Sequence, residues 1–167
     1  MLIAWSGHRP DVFSNPRAAR EAVYRVAGAK AAPDAKFICG GQRGVDQWAA
    51  QAAAKQGLSF HLVLPSDPSA FTRDWLPAER SALVELLDVA ASVEMVDPEG
   101  SLGPLAYDLR NEVILRRAGL LTVVWTGIRR GGTFHTICAA RMRGLRVEQV
   151  RLKGGGDQRS GAGARGL

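Results

Sequence analysis

The stretch Phe37-Ile38-Cys39-Gly40-Gly41-Gln42-Arg43-Gly44-Val45-Asp46 runs from an apolar segment through a glycine-rich turn into a helix-forming segment. Residues 36–39, which are apolar after Lys36, predict a strand. Residues 44–56 predict a helix because their apolar side chains recur on one helical face. Glycine lets backbone N–H groups approach an anion closely, and a helix N-terminus adds unpaired donors and the positive end of the dipole. The stretch therefore predicts a βα unit whose glycine turn, residues 40–44, is a candidate phosphate site.

A second junction of the same kind follows the most apolar run of the chain. Residues 120–125 predict a strand at the centre of a sheet, residues 133–143 predict a helix, and Gly131-Gly132-Thr133 lies where they join. One such junction is equally compatible with tight packing alone. Two in one small domain favour the binding of a phosphate, a carboxylate or a diphosphate.

Outside these two units, short apolar runs again alternate with amphipathic segments of helical length. The further predicted strands cover residues 2–5, 59–64, 92–96 and 146–152, and the further predicted helices cover residues 16–27 and 76–90, with another that ends near residue 118. Alternation of this kind is typical of a parallel sheet with helices on its faces. The predicted fold class is α/β, a Rossmann-like three-layer domain with a mostly parallel sheet flanked by helices, over residues 1–153.

Composition limits the class of protein. The chain has 167 residues, of which 46% are hydrophobic and 23% charged, so it fits one globular domain. Its net charge is +6, but residues 151–167 hold four basic residues and one acidic residue, so half of that charge lies there. Residues 154–167 predict a flexible Gly/Arg-rich tail. No apolar run reaches the roughly 18 to 20 residues of a membrane helix, and the first residues lack a basic leader, so we expect a cytoplasmic protein.

Three loops are expected to meet at the carboxyl edge of the sheet, beside the first strand. The first is Ser6-Gly7-His8-Arg9-Pro10, the second contributes Arg43 and Asp46, and the third contributes residues 130–135. Backbone amides and arginines match phosphate, while an aspartate can hold a ribose hydroxyl. Solvated surface charges for Arg43 and Arg130 and a helix-cap role for Asp46 remain open alternatives. Neither Cys39 nor Cys138 has metal-ligand spacing, so no metal is expected.

With these motifs, the chain resembles the SLOG superfamily, which groups LOG-type phosphoribohydrolases, the DNA-processing protein A fold and YspA/YpsA-like proteins. The matching segments are Ser6-Gly7-His8-Arg9-Pro10, residues 40–46, Arg110-Asn111-Glu112, Trp125-Thr126-Gly127 and Gly131-Gly132-Thr133-Phe134-His135-Thr136. The YspA/YpsA-like proteins are the most similar subgroup. The resemblance implies a Rossmann-like sheet, a pocket for nucleotides or their derivatives, and a homo-oligomer of two or more copies.

The resemblance also indicates where this chain departs from an enzyme. LOG enzymes cleave the N-glycosidic bond of a nucleoside monophosphate with an arginine, which Arg110 matches, and a glutamate, in whose place Thr136 stands. Threonine cannot act as that carboxylate, because bond cleavage builds positive charge on the ribose that a carboxylate stabilises. Asp46 and Glu112 are alternative acids, although neither occupies the matching position. The candidate catalytic set is thus Arg110, Asp46 and Glu112.

The main hypothesis is a domain that binds a nucleotide or nucleotide-derived ligand, as a sensor or processing domain, with no required cofactor. The first alternative is an N-glycosidase or phosphoribohydrolase, and the second is a single-stranded DNA-binding protein that uses the tail and Arg129-Arg130. The candidate ligand-binding residues are Ser6, Gly7, His8, Arg9, Gly40, Gly41, Arg43, Gly44, Asp46, Asn111, Thr126, Gly127, Gly131, Gly132, Thr133, His135 and Thr136.

Overall fold

A computed structural model describes residues 1–154. Within these residues the strands are β1 (Leu2–Gly7), β2 (Lys36–Cys39), β3 (Phe60–Leu64), β4 (Ser92–Met95), β5 (Leu120–Trp125) and β6 (Val147–Arg151). The helices are α1 (Pro16–Ala29), α2 (Val45–Lys55), α3 (Pro68–Phe71), α4 (Pro77–Val89), α5 (Leu105–Arg117) and α6 (Gly131–Met142).

The strands form one sheet in the order β4-β3-β2-β1-β5-β6, and every pairing is parallel. The predicted α/β, Rossmann-like fold is therefore confirmed. The strand order reverses between β1 and β5, since the chain builds outward from β1 to β4 on one side and then returns to lay β5 on the other. In such sheets a crevice opens at this point, outside the carboxyl ends of the strands.

The prediction that β5 lies at the sheet centre is wrong, because β1 and β2 are the central strands and β5 lies one strand from the edge. All six residues of β5 are nevertheless buried. The strand pairs with β1 and β6 on its two sides, and its side chains divide between the apolar cores on both faces of the sheet. Burial on both faces, rather than central position, explains its apolar sequence.

The sheet separates two apolar cores, because successive side chains of a strand point to opposite faces. The core below α1, α2 and α4 includes Trp5, Phe37, Phe60, Leu62, Leu64, Val23, Ala49 and Leu83. The core below α5 and α6 includes Ala4, Ile38, Val63, Leu121, Val123, Ile114 and Ile137. This division places α5 and α6 side by side on one face, with their N-termini at the carboxyl edge of the sheet.

Local signals explain the start of α1. Asn15 caps α1 by accepting a hydrogen bond from the N–H of Ala18 at 3.0 Å, and Pro16 takes the first helical position. Helix α6 begins at Gly131, two residues before its predicted start, so the glycine pair forms its first turn. The 3-10 turn Pro10–Val12 and the short helix α3 were not predicted.

The described chain ends on a contact with the segment between the 3-10 turn and α1. Gly154 forms an isolated antiparallel bridge with Phe13, and the Ser14 N–H donates to the Lys153 carbonyl at 3.1 Å. Residues 155–167, which make up nearly all of the predicted tail, lie outside the described residues. Among residues 1–154, no helix combines the length and apolar character that crossing a membrane requires.

Candidate functional site

A cavity of about 600 Å³ lies at the point where the strand order reverses, between the N-terminal halves of α5 and α6. Eleven residues predicted from the sequence line it: Ser6, Gly7, His8, Arg9, Asp46, Arg110, Asn111, Gly131, Gly132, Thr133 and Thr136. The structure thus brings together the first loop, the start of α2, the middle of α5 and the second glycine turn. We call this space the main cavity.

The second glycine turn is open to the main cavity. A Cβ built on Gly131 or Gly132 would meet no atom within 4 Å, and Gly131 has a φ of +79°, which favours glycine. Arg130, at the N-cap of α6, provides no side-chain cap. Within residues 1–154 no protein group accepts a hydrogen bond from the N–H groups of Gly131, Gly132 and Thr133. The first turn of α6 therefore presents unpaired donors, and the exposed Arg9 and Arg130 also line the cavity.

His8 joins the first loop to the loop before α6. Its Nε2 lies 3.1 Å from Thr126 Oγ1, and its Nδ1 lies 3.3 Å from Thr133 Oγ1. The ring also packs edge-on against Phe13, with the ring centroids 5.7 Å apart. Burial lowers the pKa of His8, so the neutral ring is favoured at pH 7. Thr126 and Gly127 lie outside the cavity lining, and Thr126 acts on the site through His8.

Arg110 and Asp46 form a buried pair at the base of the main cavity. The Arg110 side chain is 7% exposed, and its Nη1 lies 3.7 Å from Asp46 Oδ2, beyond hydrogen-bonding distance. Arg110 Nε is buried and has no hydrogen-bond partner among the described residues. Gly40 makes room for the guanidinium, because a Cβ there would overlap Arg110 Nη1.

The Asp46 carboxylate is held by the backbone of the first glycine turn. Its Oδ2 accepts a hydrogen bond from the Gly40 N–H at 3.0 Å. Burial raises the pKa of Asp46 to about 6, although the charge of Arg110 and the N–H groups of Gly40 and Gln42 oppose that rise. The pair therefore holds a carboxyl group that changes charge near neutral pH.

The first glycine turn is otherwise closed on itself, which differs from the expectation of a phosphate site. Gly41, with a φ of +68°, packs against Leu64 and Leu83, and Gly44, with a φ of +95°, packs against the His8 carbonyl. Protein acceptors already take the N–H groups of residues 43, 45 and 47. Gly40, Gly41, Arg43 and Gly44 all lie outside the cavity lining.

Arg43 points to a different part of the molecule. Its Nη1 lies 3.2 Å from both carboxylate oxygens of Glu79, and the Glu79 carboxylate also accepts the Leu76 N–H at 3.0 Å. Both side chains of the ion pair are mostly buried. Arg43 therefore fastens the first turn to the start of α4 rather than facing the main cavity.

Glu112 and His135 also lie away from the main cavity. They line a smaller groove of about 240 Å³ between α5 and α6. The Glu112 carboxylate accepts hydrogen bonds from Arg116 at 2.6 Å and Arg143 at 3.0 Å. The Arg116 hydrogen bond and charge, with a smaller effect of Arg143, hold the pKa of Glu112 below its usual value. Of the two alternative acids, only Asp46 lies beside Arg110.

Thr136, which the resemblance matches to the glutamate of LOG enzymes, lines the main cavity. Its hydroxyl donates to the Gly132 carbonyl at 2.9 Å and accepts from Asn111 Nδ2 at 3.3 Å. These two bonds tie the first turn of α6 to the middle of α5. The position is thus occupied by a neutral group that positions the glycine turn.

Gln42 and Arg130, which lie in loops that the sequence predicts to meet here, also line the cavity. The remaining lining residues were not predicted as site residues: Trp5, Val12, Tyr107, Asp108, Ile114, Leu121 and Ile128. Helical spacing could have found two of them. Tyr107 and Asp108 lie three residues before Arg110 and Asn111, and residues with this spacing share a helix face. In the described part of the chain, no three His, Cys, Asp or Glu side chains are grouped to hold a metal ion.

The fold and the crevice define a Rossmann-like α/β domain of the type that the resemblance implied. No protein-family model and no curated protein matches the chain. The X-ray structure of DNA processing protein A from Streptococcus pneumoniae superimposes with a TM-score of 0.65 and 17% identity. The match covers 88% of this chain and 49% of that chain, so this chain spans about half the length of that protein.

The X-ray structure of the structural-genomics target TM1055 has the same general architecture. It superimposes with a TM-score of 0.52 and 17% identity, and the match covers 87% of this chain and 71% of that chain. At this identity both likenesses establish the fold. They confirm the Rossmann-like fold expected from the SLOG resemblance.

Proposed function

We propose that this chain binds a nucleotide or nucleotide-derived ligand in the main cavity, with a phosphate at the first turn of α6. The observation that carries the proposal is the unpaired first turn of α6, where Gly131 and Gly132 are open to the cavity. A helix N-terminus with free N–H groups and no side-chain cap is suited to an anion. Arg9 and Arg130 add positive charge at the same opening.

The rest of the main cavity suits the nucleoside part of such a ligand. Its volume of about 600 Å³ lies within the range of small-molecule sites. Apolar side chains at Tyr107, Ile114 and Ile128 lie beside the polar Asp108 and Asn111. A base needs this combination of apolar contact area and a few hydrogen-bonding groups.

A thermal-shift experiment with AMP, ADP-ribose and NAD tests the proposal. A ligand at 100 times its Kd stabilises the folded state by about 2.7 kcal/mol, which corresponds to a rise in Tm of roughly 5 to 10 °C for a domain of this size. We expect such a rise with at least one of the three. No shift with any of them would contradict the proposal.

Two neighbouring arginines give a matched control. Arg130 lines the main cavity, while the equally exposed Arg129 does not. Because a hydrogen bond to a charged group is worth about 1.5–3 kcal/mol, Arg130→Ala is expected to weaken binding roughly 10- to 100-fold. Arg129→Ala is expected to change it by less than about threefold. Equal losses in both variants would indicate non-specific attraction to a basic surface.

A second candidate function is hydrolysis of a nucleoside monophosphate to a free base and ribose 5-phosphate. It is favoured by the buried Asp46, which lies beside Arg110 at the base of the cavity. A carboxylate there could stabilise the positive charge that develops on the ribose as the N-glycosidic bond breaks. Glu112 is the less suitable acid because Arg116 and Arg143 already pair with it.

Release of free base from AMP tests this reaction. Asp46→Asn and Arg110→Ala are expected to abolish release, whereas Glu112→Gln, the matched control, is expected to retain it. Circular dichroism would establish that each variant is folded. Undiminished release from a folded Arg110→Ala variant would refute the mechanism.

A further inference from the structure

The groove between α5 and α6 continues the main cavity. Asp108, Asn111 and Thr136 line both spaces. The hydrogen bond from Asn111 Nδ2 to Thr136 Oγ1, at 3.3 Å, joins the two helices at the boundary between them. Beyond this boundary lie His135, on the exposed side of α6, and Ala139, one turn further along the helix.

The groove differs from the main cavity in charge. Among the described residues that line it, the only arginine is Arg143, and Glu112 pairs with it at 3.0 Å. Asp108 adds a second carboxylate, and His135 is an exposed imidazole. The groove thus offers mostly hydrogen-bond acceptors, so it suits a group that carries donors and no negative charge, such as a ribose or an amide-bearing ring, better than a phosphate.

We infer that this groove is a second subsite, which takes the end of a two-part ligand that carries no phosphate, while its phosphate lies at the first turn of α6. The ligand class is a nucleotide extended through its phosphate by a second sugar or ring. The inference rests on the proposed function, since it uses the same phosphate position. The groove adds about 240 Å³ on the far side of Asn111 and Thr136, where the extension of such a ligand would lie.

Calorimetric titration with NAD and AMP tests the inference, because the two ligands share a nucleotide and differ in the extension. Ala139→Leu narrows the groove without touching the main cavity, and His135→Ala removes a polar group from an exposed position. Both variants are expected to weaken NAD binding roughly tenfold and to leave AMP binding unchanged. Ala54→Leu, at an exposed position of α2, is the control and is expected to alter neither.

The outcomes separate this inference from the proposed function. Arg130→Ala should weaken the binding of both AMP and NAD, because both ligands place a phosphate at the first turn of α6. If wild-type protein binds AMP, and NAD binding is unaffected by both groove variants, the second subsite is refuted while the proposed function stands. If neither AMP nor NAD binds wild-type protein, the proposed function fails and the second subsite fails with it.

Discussion

The two glycine-rich turns follow the same pattern in the sequence, yet they differ in what surrounds them. At the first turn, Cβ atoms on Gly40 and Gly44 would run into Arg110 and the His8 carbonyl. At the second turn, Cβ atoms on Gly131 and Gly132 would meet nothing within 4 Å. The first turn needs glycine because other parts of the protein pack against it. The second has glycine where the protein leaves space.

A strand–glycine–helix junction is therefore not by itself a phosphate site. What decides is whether the first N–H groups of the helix already have protein acceptors. In α2 the Val45 N–H donates to the His8 carbonyl at 3.3 Å and the Gln47 N–H donates to the Gln42 carbonyl at 3.2 Å. In α6 the equivalent donors remain available to a ligand.

Replacing one glycine of each turn by alanine should give the largest difference between the two turns. Gly44→Ala places a Cβ 2.5 Å from the His8 carbonyl oxygen at a φ of +95°, so overpacking and backbone strain add. We expect it to lower the free energy of unfolding by about 3 kcal/mol or more in urea titrations. Gly132→Ala should change that free energy by less than about 1 kcal/mol, because the position is open and helical. Similar losses in both variants would remove the distinction between the turns.

A second prediction uses the carboxyl group that the first turn encloses. Asp46 has a pKa of about 6 in the fold and an ordinary value near 4 when unfolded. Between about pH 4 and pH 6 the Asp46 carboxyl group is protonated in the folded state and ionised in the unfolded state. Its contribution to the stability of the fold therefore decreases as pH rises. The unfolding free energy of wild type minus that of Asp46→Asn should fall by roughly 2 kcal/mol between pH 4 and pH 7.

Urea titrations of both proteins at several pH values measure this difference. Subtracting the variant removes the titration of all other groups, and Arg110 stays charged throughout the range. A difference that is flat with pH would mean that the Asp46 carboxylate is solvated rather than enclosed. A difference that increases with pH would mean that the Arg110 charge outweighs burial.

The smallest expected effect concerns Arg43. Because this side chain pairs with Glu79 outside the cavity, Arg43→Ala is expected to cost about 1 kcal/mol of stability. Nucleotide affinity should stay within about twofold of wild type, in contrast to the loss expected for Arg130→Ala. A tenfold loss of nucleotide affinity in Arg43→Ala would indicate that the first glycine turn takes part in ligand binding.

The sequence predicted the fold well because the relevant signals are local. Short strand segments of four to seven residues and helices with one apolar face are short-range patterns, and every predicted strand and helix is present within a few residues of its predicted bounds. The short helix α3, at Pro68–Phe71, was missed because four residues carry too little periodicity. The position of β5 was predicted wrongly because a strand that is buried on both faces has the same apolar pattern at the centre of a sheet as next to its edge.

The site was predicted less completely because its details depend on partners far along the chain. Arg43 pairs with a residue 36 positions away, and Gly41 packs against Leu64 and Leu83. No pattern near residues 40–44 contains that information. Arg110 and Asn111 were identified only through a family resemblance, and their helical neighbours Tyr107 and Asp108 were passed over although they share a face with them.

A backbone amide NMR titration of the full chain with AMP shows directly whether the ligand binds at the first turn of α6. Binding at the first turn of α6 predicts the largest chemical-shift changes at the N–H groups of Gly131, Gly132 and Thr133. The N–H groups of Gly41 and Gly44 should move little, because protein side chains and backbone surround that turn. Chemical-shift changes that are larger at Gly41 and Gly44 than at Gly131 and Gly132, or no changes at either turn, would contradict phosphate binding at the first turn of α6.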